Sequence, residues 1–423
     1  IRDSVASRGL GDVYKRQLKG NSQHVASTYA IYGVGELNNN ALAHNQAMGG
    51  LGTGMPHRFN INLQNSAWLT NNQFSSFNIG LQGEDRTFKN ELQSGSKKTG
   101  SIKNMVFFVP LLKGKWGSAI SLLPFSSADY QVAGSVEIAN ATPTETTNNT
   151  YIGSGGLSQF AWSNGFRIFK STSVGFNLMH VFGAIDRKIQ SSLAADSSGI
   201  GYYTQLSKNE TYKSVLFSIS MAQKITFNET NEMNFGLTYQ HAGQLKGSKN
   251  SFLSRYLDNN FTQVGSPIPI SGEEGISFDL PKKLSFGISY GLIDKYRIGL
   301  DINLANWTSN EFNNASIQNT QEFIIGGEIT PDSRNITSYL MRVTYRLGFN
   351  YYKLPYLVQD NTINEFGINF GASFPVAGLS TLDLAVKFGE RGTIENGLIN
   401  ESFTQIILGL TINEKWFTKR KYN

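Results

Sequence analysis

The chain has 423 residues, of which 43 are glycine, 12% aromatic and only 16% charged, with a formal net charge of +6. It contains no cysteine, which removes disulfides, thiolate metal centres and cysteine nucleophiles; its Lys and Arg are scattered except in the terminal KRKYN, so no nucleic-acid footprint stands out. Such a length could hold two or three soluble domains or one large barrel, and the glycine- and aromatic-rich composition favours the barrel.

Residues 1–17, IRDSVASRGLGDVYKRQ, carry no Met and no apolar signal core. They resemble translated sequencing-adapter read-through and are set aside as a foreign segment; a native disordered terminus is the other reading. A secretory signal is then expected to be missing upstream of Leu18. Residues 18–72 follow as a periplasmic N-terminal segment. Within it, AMGGLGTGM brings Gly49, Gly50, Gly52 and Gly54 close together, a composition that lets backbone approach something closely. The spacing is not G-x-G-x-x-G, and Met55 and Pro56 stand where a Walker loop needs Lys and Ser or Thr, so a nucleotide cradle is excluded.

From Gln73 the dominant signal has period two. In EMNFGLTYQ, Met233, Phe235, Leu237 and Tyr239 alternate with polar residues and glycine; KLSFGISY, RIGLDINL and MRVTYRLGFNY repeat the pattern. About fourteen strands, an even number as in most bacterial outer-membrane barrels, are centred near Ile79, Phe107, Ile120, Trp162, Phe176, Phe217, Phe235, Phe286, Leu300, Ile325, Tyr345, Ile368, Leu384 and Leu408. The links after even-numbered strands are short (LLKGK, FKST, FNETNE, GLIDK, PDSRN, VAGLS), whereas several after odd-numbered strands are long, including 128–155, 186–211 and 243–275. Such alternation predicts an up-and-down antiparallel transmembrane β-barrel over 73–417, with periplasmic turns, extracellular loops and a periplasmic tail at 418–423. No apolar run approaches the roughly 18 residues of a membrane helix. Trp116, Trp307 and Trp416 fall near strand ends, where they are either packed or part of an interfacial girdle. A large soluble sandwich or propeller is disfavoured by strand length and by the alternating links.

STYAIYGVGEL, AMGGLGTGM and INLQNSAWLT, followed by the barrel pattern, make the chain from Ser27 onward resemble the long-chain fatty acid transporter family of outer-membrane proteins, in its Bacteroidetes-type version. The resemblance implies an N-terminal hatch or plug inside a 14-stranded lumen, with Asn65, Ser66 and Ala67 at the family's Asn-Pro-Ala element and Ser66 in place of its proline. It also implies passage of hydrophobic molecules into the lumen and sideways through an opening at a kink in the third strand. Pro124 lies in that strand and cannot donate to its ladder, so it marks either a lateral opening or an ordinary bulge.

Further candidates come from residue type and placement. Phe252, Leu253, Tyr256, Leu257 and Phe261 make a hydrophobic lip in the 243–275 loop, or else that loop's own small core. Asp301, Arg342, Arg346 and Lys387 are expected as lumen charges, contacting a carboxylate headgroup or pairing with one another; mutual pairing is preferred. Among His24, His44, His57, His180 and His241 there is no H-E-x-x-H pattern, and no G-x-S-x-G elbow occurs. His180 and Asp186 have no identifiable nucleophile beside them, so neither catalysis, metal nor cofactor is expected. The predicted function is passive uptake or binding of long-chain, fatty acid-like hydrophobic molecules; a non-transporting structural or secretion-associated barrel is the alternative. The expected partners are a hydrophobic or lipid substrate, outer-membrane lipids and, during biogenesis, the barrel assembly machinery, with the protein itself a monomer.

Overall fold

Alternation of apolar and polar residues places one row of each strand outward and the other inward, and the sheet closes because that inner row has a common space to face. The computed structural model describes residues 27–91, 94–137, 146–193, 202–227, 230–257, 262–307, 311–312, 315–376 and 378–416. The segments at 1–17 and 418–423 lie outside the described residues.

Fourteen antiparallel wall strands form the barrel. They are β1 (Ser75–Lys89), β2 (Ser94–Leu112), β3 (Trp116–Ser127, continued by Tyr130–Glu137), β4 (Thr146–Arg167), β5 (Thr172–Leu193) and β6 (Tyr202–Thr226). The wall continues with β7 (Asn231–Gln240, continued by Gly243–Leu257), β8 (Ile268–Leu280, continued by Lys282–Leu292), β9 (Tyr296–Asn306) and β10 (Thr320–Ile329). β11 (Thr344–Val358), β12 (Asn361–Pro375), β13 (Thr381–Arg391) and β14 (Asn400–Glu414) complete it. Closure is made by β14 against β1, from Ser75 opposite Glu414 to Lys89 opposite Asn400. Leu81, Ile120, Phe217, Leu237, Phe286, Leu347 and Leu408 are exposed on the outer face, as a lipid-facing band requires. Glu232, Asn234, Asp301 and Arg346, of opposite parity, are buried within.

Two expectations about connections change. The stretches 128–155, 186–211 and 243–275, read as loops, are largely strand among the described residues, because β3 to β8 extend into them. Their alternation fades because neither face meets hydrocarbon there, yet the backbone ladder continues, as between Gly247–Leu257 and Tyr202–Tyr212. The link expected as PDSRN instead runs from 330 to 343 and contains a 3-10 turn, Leu340–Arg342. Met341 and Val343 extend the apolar alternation of β11 only in sequence, since the strand begins at Thr344.

Residues 27–72 occupy the lumen as a hatch with little regular structure: 3-10 turns at Thr28–Ile31 and Ser66–Asn71, one helical turn at Ala43–Gln46, and a two-residue strand, Glu36–Leu37. Its backbone lies against wall glycines. A Cβ on Gly236 would collide with the Thr53 carbonyl, one on Gly287 with Gly54, one on Gly348 with Met48 and Gly49, and one on Gly165 with the Ser66 carbonyl. The glycine row on the inner face of β4, β7, β8 and β11 is therefore a seat for main chain rather than a conformational device. We expect Gly236→Val to leave the barrel closed but to lift the hatch, costing about 2–3 kcal/mol through overpacking; a lowered thermal midpoint with retained strand circular dichroism is the measurable outcome.

Candidate functional site

The glycine-rich stretch of the hatch does hold an anion, and that anion belongs to the wall. Gly49 and Gly50 adopt positive φ of 77° and 96° just past the helical turn, where glycine is favoured, and swing the following residues toward β9. There the backbone N–H groups of Gly52, Thr53 and Gly54 donate to the Asp301 carboxylate at 2.8, 2.7 and 3.2 Å. Asp301 is 1% exposed, and successive main-chain donors of this kind suit a buried carboxylate. Asn62 Nδ2 donates to the Gly52 and Met55 carbonyls, Asn45 Nδ2 to that of Leu51, and Ser289 Oγ to that of Gly54.

Asn65, Ser66 and Ala67 form the second attachment. Asn65 caps the Ser66–Asn71 turn by accepting from Ala67 N–H, and its Nδ2 donates to the Thr53 and Met221 carbonyls, both at 3.0 Å. Ser66 Oγ meets Ser220 Oγ at 2.8 Å; with a hydroxyl at this position the hatch gains a polar bond to β6. Trp68 Nε1 donates to Thr53 O at 2.8 Å, tying the two attachments together.

At its start the hatch enters a charged cluster. Ser27 Oγ, Thr28 N–H and Thr28 Oγ1 donate to the Glu401 carboxylate, and Arg391 bonds Ser27, Glu36 and Glu365. Burial pushes the Glu36 carboxyl up, but the Arg391 and Arg86 guanidiniums outweigh it and hold it below its ordinary value. Lys387 pairs with Glu365 at 2.6 Å, and Arg346 pairs with Glu328 at 3.0 Å. Three of the four expected lumen charges thus face inward, but they do not pair with one another: Arg346 and Lys387 pair with Glu328 and Glu365, and Asp301 lies on amides. Arg342 does not: it is exposed in the 330–343 turn, its guanidinium over Tyr339, because the 3-10 turn precedes β11.

Above this cluster the lumen holds an apolar core, crossed by the buried Arg187–Glu210 pair, whose guanidinium donates to the Ile31 and Gly33 carbonyls of the hatch. Tyr29, Tyr32 and Val34 of the hatch pack in one core with Phe125, Leu157, Phe278, Trp307 and Tyr356 of the wall. Trp307 is therefore a lumen residue, whereas Trp116 and Trp416 sit at the turn end, Trp116 stacked on Phe166 and Trp416 beside Phe107. Between core and hatch lies a cavity of about 300 Å³ edged by Gln82, Lys103, Gln159, Asn303, Glu322 and Gln405. Tyr29, Phe125, Met179, Trp307, Leu354 and Tyr356 line it as well, so its wall mixes polar and apolar side chains.

Around Pro124 the wall pairing is interrupted. The β2–β3 ladder ends at Met105 opposite Leu122, β3 shifts register against β4 between Pro124 and Ser126, and Lys103 bulges from β2 where its pairing with β1 skips a residue. On the edge of β3 that β2 has left, Leu37 and Glu36 of the hatch pair with Ser126 and Ser127, and Asn38 N–H donates to Phe125 O at 2.9 Å. Lys97, Lys98, a bulge and a proline are what natural sheets use to protect an open edge.

The remaining candidates separate. Phe252, Leu253, Tyr256 and Leu257 are half-buried in the upper part of β7, not on a loop, because that part pairs with β6 and β8; Phe261 lies outside the described residues. His180 faces outward, stacked on Phe182, with Asp186 exposed on the same face. Sequence reasoning missed Ser220, Ser289, Arg391 and Glu401, which hold the hatch. Their signal was inward parity, joined for Ser289, Arg391 and Glu401 by a glycine on the same inner row.

Buried His44 and His57 meet edge to face with ring centroids 4.7 Å apart, and His44 Nδ1, His44 Nε2 and His57 Nε2 have no hydrogen-bond partner. Burial, then His57 and Arg346, holds His44 well below the usual imidazole range against the opposing Glu328; burial, Arg346 and Arg297 do the same for His57.

No curated protein matches this chain. A sequence-family model described as BamG matches residues 16–423. Among solved structures, the chain is similar to the Pseudomonas putida toluene transporter TodX, at 14% identity over 89% of this chain and 99% of that one, with a TM-score of 0.57. It is also similar to the CymD monoaromatic hydrocarbon channel (13%, 88% and 97%, 0.55) and to a Pseudomonas aeruginosa FadL homologue (11%, 90% and 99%, 0.56). At these identities the likeness is one of fold.

Two outcomes follow for the hatch. Asp301→Ala removes the acceptor of three amides and is expected to weaken the seat by about 3 kcal/mol, a roughly 100-fold faster maleimide reaction of a cysteine placed at Thr53. Because both histidines are neutral when seated and protonate near pH ~6.5 when released, the seat is strongest above that pH and weakens as pH falls through it toward their lowered native values. Measured relative to a freely exposed reference cysteine, which corrects for the falling thiolate fraction, the labelling rate should rise from pH 7.5 to 5, and the rise should flatten in the His44→Phe/His57→Phe double variant.

Proposed function

The chain belongs to the BamG family, and from the arrangement of its lumen we propose that it is an outer-membrane barrel that takes up hydrophobic small molecules passively, without a cofactor. The observation that carries this reading is the apolar core of the upper lumen, in which Tyr29, Tyr32 and Val34 of the hatch occupy the space between wall residues. An incoming hydrophobe would shed its water there and take the place of these side chains. The segment it displaces continues into Glu36 and Leu37, the residues paired to the open edge of β3, so its departure would also bare the interruption beside Pro124 as a lateral exit.

The similar structures, a toluene transporter, a monoaromatic hydrocarbon channel and a FadL homologue, support an apolar ligand. A second reading has its own observation. The dense bonding of the hatch to the wall suits a barrel that remains shut and serves a structural or assembly role.

The absence of native cysteine makes a clean test available. Cysteines at Leu37 and Ser126, which are Cα partners, should form a disulfide that holds the hatch strand to β3. Uptake of a labelled long-chain hydrophobe into proteoliposomes is expected to fall to the empty-liposome background when this pair is oxidised and to return on reduction. Equal uptake in both states sinks the lateral route. If the purified protein shows no saturable binding in either state, the shut-barrel reading stands instead.

A further inference from the structure

The turn end of the barrel is chemically uniform in a way that neither the hatch nor the lumen requires. Exposed apolar and cationic residues sit side by side in separate turns: Leu112 with Lys113 and Lys115, Phe169 with Lys170, Trp416 with Lys415. Among the described residues, acids at this level are engaged locally. Asp294 bonds Arg58 at 3.1 Å, Glu414 accepts from Trp416 Nε1, and Asp332 accepts from Arg334 N–H and Asn335 Nδ2.

The 330–343 turn carries the pattern furthest. It is an ordered projection: Asn335 Oδ1 accepts from the N–H groups of Thr337 and Ser338, and Asp332 N–H donates to Met341 O. At its tip Ile336 is 99% exposed, and Leu340 and Met341 are exposed as well. Its direction is set by two tyrosines: the outward-facing Tyr345 donates its hydroxyl to Leu340 O at 3.1 Å, and Tyr339 donates to Pro375 O at 2.9 Å. The 3-10 turn is thus held at the lipid-facing end of β11, not across the mouth.

We infer that this rim is a binding surface for anionic phospholipid headgroups of the inner leaflet, with Ile336, Leu340 and Met341 inserted among the acyl chains and Arg334 and Arg342 at the phosphates. Apolar residues flanked by cations are the composition of an interfacial anchor. A leaflet surrounds the barrel, and the pattern recurs in turns around its circumference; a protein partner would need it on one side only.

The test uses the full chain in vesicles of phosphatidylcholine with or without phosphatidylglycerol, with an environment-sensitive fluorophore on a cysteine at Ile336. Quenching by brominated acyl chains is expected, stronger when phosphatidylglycerol carries the bromine. The Arg334→Glu/Arg342→Glu variant should lose roughly 10- to 30-fold of that headgroup preference; the same loss in bound phosphatidylglycerol counted by native mass spectrometry would support the anchor independently. A fluorophore that no brominated lipid quenches would overturn the inference, as would equal quenching by both lipids that the charge variant leaves unchanged. A photo-crosslinker at Ile336 that captures a protein and no lipid in outer-membrane envelopes would assign the surface to a protein and overturn it too.

Discussion

Close approach of main chain to main chain is the constraint on which this molecule depends. A hatch with almost no helix or sheet of its own has many backbone groups to satisfy inside a barrel, where water is scarce. It satisfies them by lying on the wall, which is feasible only where the wall has no side chain. Gly165, Gly236, Gly287 and Gly348 provide that clearance on four strands at the level of residues 48–66, and serines and asparagines next to the clearance supply short polar reach. The wall has given up inward side chains so that the plug can be backbone.

Asp301 shows how a charge fits such a scheme. A carboxylate at this depth would ordinarily call for a cation; three amides of one hatch turn take that place, and the interaction is specific because it exists only when residues 52–54 are in their seat. Elsewhere the lumen handles charge differently. Arg391 joins Glu36 of the hatch to Glu365 of the wall, so the start and the middle of the hatch are held by charge-assisted bonds, one to an ion pair and one to dipoles. Buried pairs of this kind add little net stability but penalise every arrangement that leaves one member alone, which favours a single seated geometry.

The fourteen strands were legible because lipid outside and polar lumen inside impose opposite chemistries on alternate residues, as Leu237 and Phe286 against Asn234 and Ser289 illustrate. Legibility fails where that contrast ends. Gly243–Leu257 pairs on both sides but meets no hydrocarbon, so it looks like a loop in sequence; Met341 and Val343 look like strand because a turn with exposed apolar residues happens to continue the period. In the hatch, glycine density revealed close approach but not its object. The spacing around Gly52 and Gly54 excluded a phosphate site, yet nothing local could name Asp301 as the anion, since the two are joined across 249 positions of chain. The glycines repeated on the inner rows of successive strands were the legible half of that contact, and their common height appears only once the strands are in register.

The hatch links two features that need not have been linked. Tyr29, Tyr32 and Val34 complete the apolar core of the upper lumen, and a few residues later Glu36 and Leu37 complete the edge of β3. Between them run Gly33 and Gly35, both at positive φ, a backbone conformation that turns the chain sharply and that other residues adopt only with strain. A segment this short cannot leave the core and keep its pairing with β3 unchanged, because its own length limits how far the two attachments can separate. Filling of the upper lumen and integrity of the wall near Pro124 are therefore coupled by the chain itself, and Arg391, bonded to Ser27 on one side of the tyrosines and to Glu36 on the other, spans the same interval from the wall.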